Sequence, residues 1–434
     1  MASDIEREEL TIHALAVLIG LPIVVVIIAT HRPFDGAATL SLLCLGFGLV
    51  GLVRAAIARR RTRHRALPLL LLGAVLAPTA SRAEPPAVVM RGSVEGYYQL
   101  HAQNPDNRVT ALRGFDSRSR TFTLANAVLD ARAVAGRVTT HLALQVGPTG
   151  AAYYAAEPAL AATGGASASG PALWQHVQTA TIGLEQGATL VEAGLFPSPI
   201  GPEVFAVKDN LNWSRSNLFV ALPYYHTGVR ASRPLGGAWT GTLALYNGWN
   251  SVVDSDPWPS VSAAASYAAA GTSAQVLYVG GSERPTGAPE GRAWRHLVDV
   301  IVQRAVTARV TLAAHADAGL ERNDVGTSAW AAGALYARAT LHPSVYAAAR
   351  VDHVREQTDG AAPMLIPVRW VSAGTLTLAY QPTDPVSVRL EYRHDQAAGD
   401  VYFGGDVATD PVTQLAVPDR RSQDTVTLGA TAWF

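Results

Sequence analysis

Val386-Ser387-Val388-Arg389-Leu390-Glu391-Tyr392-Arg393-His394-Asp395 is the stretch whose reading settles the fold. Val386, Val388, Leu390 and Tyr392 fall on one parity; Ser387, Arg389, Glu391, Arg393 and Asp395 fall on the other. Side chains along a strand point to opposite faces in turn, so this is a strand with one apolar and one charged face. The same period recurs upstream. Val138, Thr140, Leu142, Leu144 and Val146 alternate with Arg137, Thr139, His141 and Gln145, and Val310, Leu312, Ala314, Ala316 and Ala318 with Arg309, Thr311, His315 and Asp317. A soluble β-sandwich would alternate too, so the period alone does not choose between them.

The connections choose. Sixteen strands are expected near 92–102, 119–132, 137–147, 172–186, 189–196, 223–233, 238–248, 261–269, 272–282, 294–303, 307–319, 328–340, 344–354, 368–380, 386–396 and 423–434. Even-numbered strands are followed by turns of about two to five residues and odd-numbered strands by loops of about 7 to 26. Short turns on one rim, long loops on the other and an even strand count mark an all-β, 16-stranded antiparallel transmembrane β-barrel. Strands of about 11 residues, tilted, span the apolar layer. In lipid an unpaired strand edge leaves backbone groups without partners, so the sheet must close.

Composition agrees. The chain has 434 residues, 49% hydrophobic and 16% charged, against roughly 25% charged in an ordinary soluble domain. Basic and acidic residues number 34 each, and Lys208 is the only lysine. This excludes a nucleic-acid binder held by a basic field and an acidic disordered chain.

The first 83 residues have another texture. Apolar runs at 12–30 and 37–58 are each long enough for a membrane helix. Then Arg59-Arg60-Arg61-Thr62-Arg63-His64-Arg65 precedes a shorter apolar run, 66–80, and Ser81-Arg82-Ala83. Basic stretch, apolar core and small-x-Ala ending form a signal peptide over 59–83, with cleavage after Ala83. The expected organisation is two hydrophobic helices in 1–58, the signal peptide, and a barrel in 84–434. A signal peptide belongs at an N-terminus, so translation is expected to start near Leu52 or Val53. If residues 1–50 are translated, the arginine run keeps the end of the second helix cytoplasmic. The only cysteine, Cys44, lies in this leader, so the barrel has no disulfide. Removing the nine arginines and five acids of residues 1–83 leaves 25 basic and 29 acidic residues, a net charge of −4.

In the last strand Val426, Leu428, Ala430, Ala432 and Phe434 share a face. A terminal aromatic closing an alternating strand resembles the signal read by the bacterial barrel-assembly machinery, an expected partner through Phe434. Trp174, Trp239, Trp294, Trp330, Trp370 and Trp433 fall near strand ends, where an aromatic girdle is expected.

Residues 189–250 carry a resemblance. They read Glu192-Ala-Gly-Leu-Phe196-Pro-Ser-Pro-Ile-Gly201-Pro-Glu203, then Asn212-Trp213-Ser214-Arg215-Ser216, then Pro223-Tyr224-Tyr225-His226-Thr227-Gly228-Val229-Arg230, then Tyr246-Asn247-Gly248-Trp249-Asn250. This resembles the OmpL-like β-barrel porins of Gram-negative outer membranes. The resemblance is sharp over about 60 residues and general in pattern over 90–434. It implies a cell outer-membrane location and passive transport of small hydrophilic solutes, and it carries no ligand. The two hydrophobic segments upstream depart from the family pattern.

Enzyme chemistry finds little support. There is no G-x-S-x-G, H-E-x-x-H or P-loop. Gly46-Phe-Gly48-Leu-Val-Gly51 fits G-x-G-x-x-G, but it lies inside a membrane-length apolar run with no strand before it. Histidines 101, 141, 176, 226, 296, 315, 342, 353 and 394 are scattered without ligand spacing. No catalytic residue, metal or cofactor is expected.

A barrel of sixteen strands encloses water, and charged side chains at the narrowest point set selectivity. By analogy with general porins, the third long loop, 197–222, folds inward as the constriction and carries Glu203, Lys208, Asp209 and Arg215. The opposing lumen wall is expected to carry Arg309, Asp317, Arg350, Asp352, Arg389, Glu391, Arg393 and Asp395. An arginine facing lipid at mid-depth costs about 2–4 kcal/mol, so these residues must face inward. Loop 148–171, rich in Ala, Gly and Ser, reads as flexible external sequence. The leading function is a diffusion porin, with trimers common among sixteen-stranded porins. A phospholipase-like enzyme and a plugged structural or adhesive barrel are the alternatives.

Overall fold

The computed structural model describes residues 86–164 and 166–434. The expected leader helices, signal peptide and start site lie outside the described residues. Sixteen strands close into one antiparallel barrel: β1 (Ala87–His101), β2 (Phe122–Ala135), β3 (Val138–Val146), β4 (Val177–Gln186), β5 (Thr189–Pro197), β6 (Tyr225–Gly236), β7 (Trp239–Tyr246), β8 (Ser260–Ala269), β9 (Thr272–Ser282), β10 (Trp294–Ala305), β11 (Val310–Arg322), β12 (Thr327–His342), β13 (Val345–Asp359), β14 (Trp370–Thr383), β15 (Val386–Ala397) and β16 (Ser422–Trp433). Among the described residues three short α-helices, α1 (Pro148–Tyr153), α2 (Pro171–Trp174) and α3 (Asn217–Ala221), and a 3-10 turn, Val207–Asp209, interrupt the loops. Arg132–Thr139 and Ala159–Ser169 belong to one compact unit, within which Leu160 and Ser169 form an isolated bridge. Met90–Ala131, Thr140–Pro158 and Gly170–Phe434 form the other, which holds the inner wall of the barrel.

Each strand takes the face its period dictates. On β15, Ser387, Arg389, Glu391, Arg393, Asp395 and Ala397 are buried inside, while Leu390 and Tyr392 are exposed on the outer face. Leu243, Leu335, Leu376 and Leu428 are likewise exposed outside. In a barrel this is the lipid-facing band, left uncovered because lipid rather than protein completes it. β1 and β16 pair from Ser93↔Trp433 to His101↔Thr425, so no sheet edge is left. The tight link between β4 and β5 uses Gly187 at φ +61°, a conformation costly for any residue with a Cβ.

The eight loops after odd-numbered strands, L1 to L8 in chain order, occupy one rim. L6 corrects the expected alternation. Strands β11 and β12 run on through the pair Arg322↔Thr327, leaving only residues 323–326 between them. The girdle also needs correction. Trp239 and Trp294 are exposed on the outer face, but Trp174 lies in α2 within L2. Trp330 is buried inside, its ring over Gly319, where a Cβ would collide with it. L2 is not simply external either, since Tyr153 and Tyr154 are both fully buried.

Candidate pore constriction

L3, residues 198–224, folds into the barrel and is seated on the inner wall of β12–β16 and β1. Its seat is built from Glu95 of β1, Arg350 and Asp352 of β13, and Arg389, Glu391 and Arg393 of β15, each bonded to L3 backbone or to a polar L3 side chain. Glu391 accepts the Trp213 and Ser214 amides at 2.6 and 3.0 Å. Asp352 accepts the Asn217 amide at 3.1 Å and its side chain at 2.8 Å. Glu95 of β1 accepts the Val207 amide at 2.6 Å. Arg350 donates to the Ser214 carbonyl at 2.6 Å and Arg389 to the Val207 carbonyl at 2.7 Å. Arg393 donates to the Arg215 carbonyl and to Asn217 Oδ1. Asn212 reaches Thr377 at 2.8 Å. The Trp213 ring lies against Gly429 of β16, where a Cβ would collide with it.

These charges are all but removed from water: Arg350 and Arg393 are each 1% exposed. A buried charge costs several kcal/mol unless it is paired and hydrogen-bonded. Here each is. Arg350 binds Glu203 at 2.9 Å, Arg393 binds Asp395 at 2.7 Å, and Asp395 also takes Arg113 of L1 at 2.9 Å.

The expected constriction residues therefore divide. Glu203 and Arg215 are buried inside the L3 assembly. Glu203 accepts the Ser216 amide and hydroxyl, the Tyr336 hydroxyl and Arg350, and Ser216 Oγ in turn caps α3 by accepting the Phe219 amide. Arg215 donates to the carbonyls of Val204, Phe205 and Trp213 and stacks over Phe115 of L1. Burial pushes its guanidinium below the ordinary range, with Glu95 and Glu203 pulling it back. Lys208 and Asp209 remain partly exposed, 30% and 53%, and pair with each other at 2.8 Å.

The expected wall residues are also relocated. Arg350, Asp352, Arg389, Glu391 and Arg393 face inward with L3 lying on them rather than across the lumen from them, and Asp395 faces inward under Arg113 of L1. The reason is the electrostatic match between these ions and the loop's unpaired amides and carbonyls. Arg309 is in the turn between β10 and β11, exposed, and not on a strand wall. Asp317 faces inward and is buried without a hydrogen-bond partner. On the other side of the barrel the inward charges are few and paired in place: Glu192 with Arg230 at 2.8 Å and Asp130 with His141 at 2.5 Å.

At the loop rim an aromatic cluster joins L1, L2, L3 and L4 through Phe115, Tyr153, Tyr154, Phe205, Phe219 and Val252. Glu157 ties it, accepting the Val252 amide at 2.8 Å and the Tyr225 hydroxyl at 2.7 Å. Burial raises the Glu157 carboxyl and these hydrogen bonds oppose the rise.

A serine–histidine pair is present. Ser198 Oγ lies 3.2 Å from His226 Nε2, and His226 Nδ1 is 2.9 Å from the Gly248 carbonyl. His226 is fully buried and stacks on Tyr246. A carbonyl in place of a carboxylate gives an imidazolium no counter-charge. Ser198 Oγ also accepts the Ile200 amide, so the pair holds the start of L3.

The model of the family described as "Putative beta-barrel porin-2, OmpL-like" matches residues 87–434. Among solved structures, the anion-selective porin from Comamonas acidovorans aligns with TM-score 0.53 at 12% identity, over 80% of this chain and 100% of that one. The outer membrane channel DcaP of Acinetobacter baumannii aligns with TM-score 0.50 at 14% identity, over 80% and 97%. Salmonella typhi OmpF, in complex with daunomycin, aligns with TM-score 0.50 at 10% identity, over 80% and 97%. At these identities the structures share the fold. A search of curated proteins finds no match.

Proposed function

The chain belongs to the OmpL-like β-barrel porin-2 family, and from that membership we propose how this outer-membrane porin passes small hydrophilic solutes by diffusion. L3 narrows the barrel from one side. Its exposed charged edge is the Lys208–Asp209 pair, and the passage runs between that edge and the lightly charged wall carrying Asp130, His141, Glu192 and Arg230. The carrying observation is the seat of L3: a loop bonded to the inner wall through buried ions is a fixed restriction rather than a swinging plug. Both signs of charge line the passage, which favours weak ion preference. The chain is read as non-enzymatic, and Ser198 and His226 as structural. A homotrimer, common among sixteen-stranded porins, is the proposed assembly. Phe434, 76% exposed beside the paired ends of β1 and β16, is the proposed contact for the assembly machinery.

Single-channel recording in planar bilayers tests the reading. Ohmic steps from folded protein are expected; folded barrels that never conduct would contradict it. Phospholipid hydrolysis by purified protein, lost in Ser198→Ala, would favour the enzyme instead.

A further inference from the structure

Beneath the start of L3 lies a group of side chains that the seat does not use. Asp299 of β10 and Asp317 of β11 stand directly opposite each other across the strand pair, both facing inward. They are 0% and 5% exposed. His315, the next inward residue on β11, holds Asp299 Oδ2 through Nε2 at 2.5 Å. Both Asp317 oxygens lack a hydrogen-bond partner, as do Asp299 Oδ1, His315 Nδ1 and Trp330 Nε1. L3 forms the cover. Gly201, at φ +77°, packs so closely on the His315 ring that a Cβ there would sit 3.0 Å from Cε1. Gln275 of β9 donates to the Pro199 carbonyl at 2.8 Å. Ile200 packs with Leu277 and Val279 of β9, Leu297 of β10 and Trp330 of β12.

The cage is short of positive charge. Around Asp317 stand His315, Asp299 and the neutral Trp330 indole, whose N–H is the nearest donor but does not reach full hydrogen-bond geometry. Arg284 and Arg295 are taken by Glu321, two inward positions further along β11. With His315 charged and both acids ionised, the cage holds a net negative charge away from water, which is costly. One added proton makes it neutral. Unpaired buried polar atoms in a native structure call for an account, and among the described residues these three side chains are not placed to hold a metal ion.

We propose that Asp299, His315 and Asp317 form a proton-binding site under the start of L3 whose occupancy sets how firmly the segment 199–201 is held. Proton uptake neutralises the cage and lets the loop close over it. Proton loss leaves two opposed carboxylates under the loop and loosens it. Acid therefore steadies the constriction and alkali makes it fluctuate. The proposal rests on reading L3 as the constriction.

The test follows amide exchange in residues 199–206, corrected for intrinsic rate, together with open-channel noise, between about pH 5 and pH 8. The wild type is expected to lose protection at these amides several-fold and to gain noise as pH rises. Asp317→Asn, a fixed mimic of the protonated acid, is expected to stay protected and quiet throughout, and Asp299→Asn serves if that variant does not fold. Equal pH responses in wild type and variant would overturn the proposal, as would protection that follows divalent-cation concentration and not pH. Exchange reads the site whether or not current flows, so absent conductance would strike only the channel reading.

Discussion

The two halves of the barrel wall obey the same alternation and use it differently. On β13 and β15, with Glu95 of β1, the inward faces are dense with ions, and L3 lies on most of them. On β6–β8 the inward faces are mostly small or neutral, among them Gly228, Ser232, Thr242, Ala244, Ser262 and Ser266, and the one ion, Arg230, is held by Glu192. Counting charged residues would name the first half as the selective surface. Their burial and partners make them the fixings, and in the proposed reading the sparser half lines the passage. Charge density inside a barrel marks selectivity only where the charges are not already spent on backbone groups.

The two halves should separate most widely when an ion is removed from each. Arg350→Ala leaves Glu203 and Asp352 buried with a partner gone, a change worth about 3–5 kcal/mol. It is expected to free L3, raising conductance and noise and lowering the temperature of barrel unfolding. Arg230→Ala, removing a partly exposed pair that does not touch L3, is expected to cost about 1 kcal/mol and leave L3 in place. Equal effects of the two would erase the distinction.

Next in size is a packing change. Gly429→Val would push Trp213 off β16 and is expected to raise conductance and expose the indole to an aqueous fluorescence quencher. Gly374→Ala, on the outward face of β14 with open space at the Cβ position, is the control and is expected to be silent.

A smaller effect separates selectivity from seating. Lys208→Glu reverses the one exposed basic group on the L3 edge. It is expected to shift the reversal potential toward cation preference in a salt gradient while unfolding is unchanged. Arg389→Glu should behave oppositely, damaging the seat before any ion preference can be read.

The smallest effect is a pH dependence in L4. Burial raises the Asp254 carboxyl from 3.8 to about 6. The folded loop thus binds this proton more tightly than the unfolded chain does. The resulting stabilisation is present at low pH and is lost as pH rises through about 6. Amide exchange in residues 252–256 is expected to be slower at pH 5 than at pH 7.5 after intrinsic correction. Asp254→Asn should remove the difference.

Much of the architecture is legible in the sequence because lipid imposes a period of two on every strand and water a rim of loops. All sixteen strands announce themselves this way. L6 does not, because Leu320 to Arg322 and Thr327 read as loop until Glu321 is seen paired with Ser328. Trp330 resembles a girdle residue by position, but its parity puts it inside, where Gly319 leaves room for the ring. The seat is less legible still. Parity shows that Arg350, Arg389, Glu391 and Arg393 face inward, but their partners are mostly backbone groups of L3, which any sequence could supply. Two signals do mark it. Ser214-Arg215-Ser216 is the hinge of the seat, its hydroxyls and carbonyls taken by Arg350, Arg393 and Glu203. Gly429, a small residue on an inward face, marks where the Trp213 ring comes to rest.

The central claim is that L3 is fixed to the wall of β12–β16 in the conducting state. Asn212 of L3 and Thr377 of β14 meet at 2.8 Å, so an Asn212→Cys, Thr377→Cys barrel can be oxidised to tether the loop where it already lies. Conductance recorded before and after reduction of that tether is the direct measure. Ready cross-linking and the same conductance in both states are the expected results. A pair that fails to cross-link in folded barrels, or a conductance that rises on reduction, would contradict the claim.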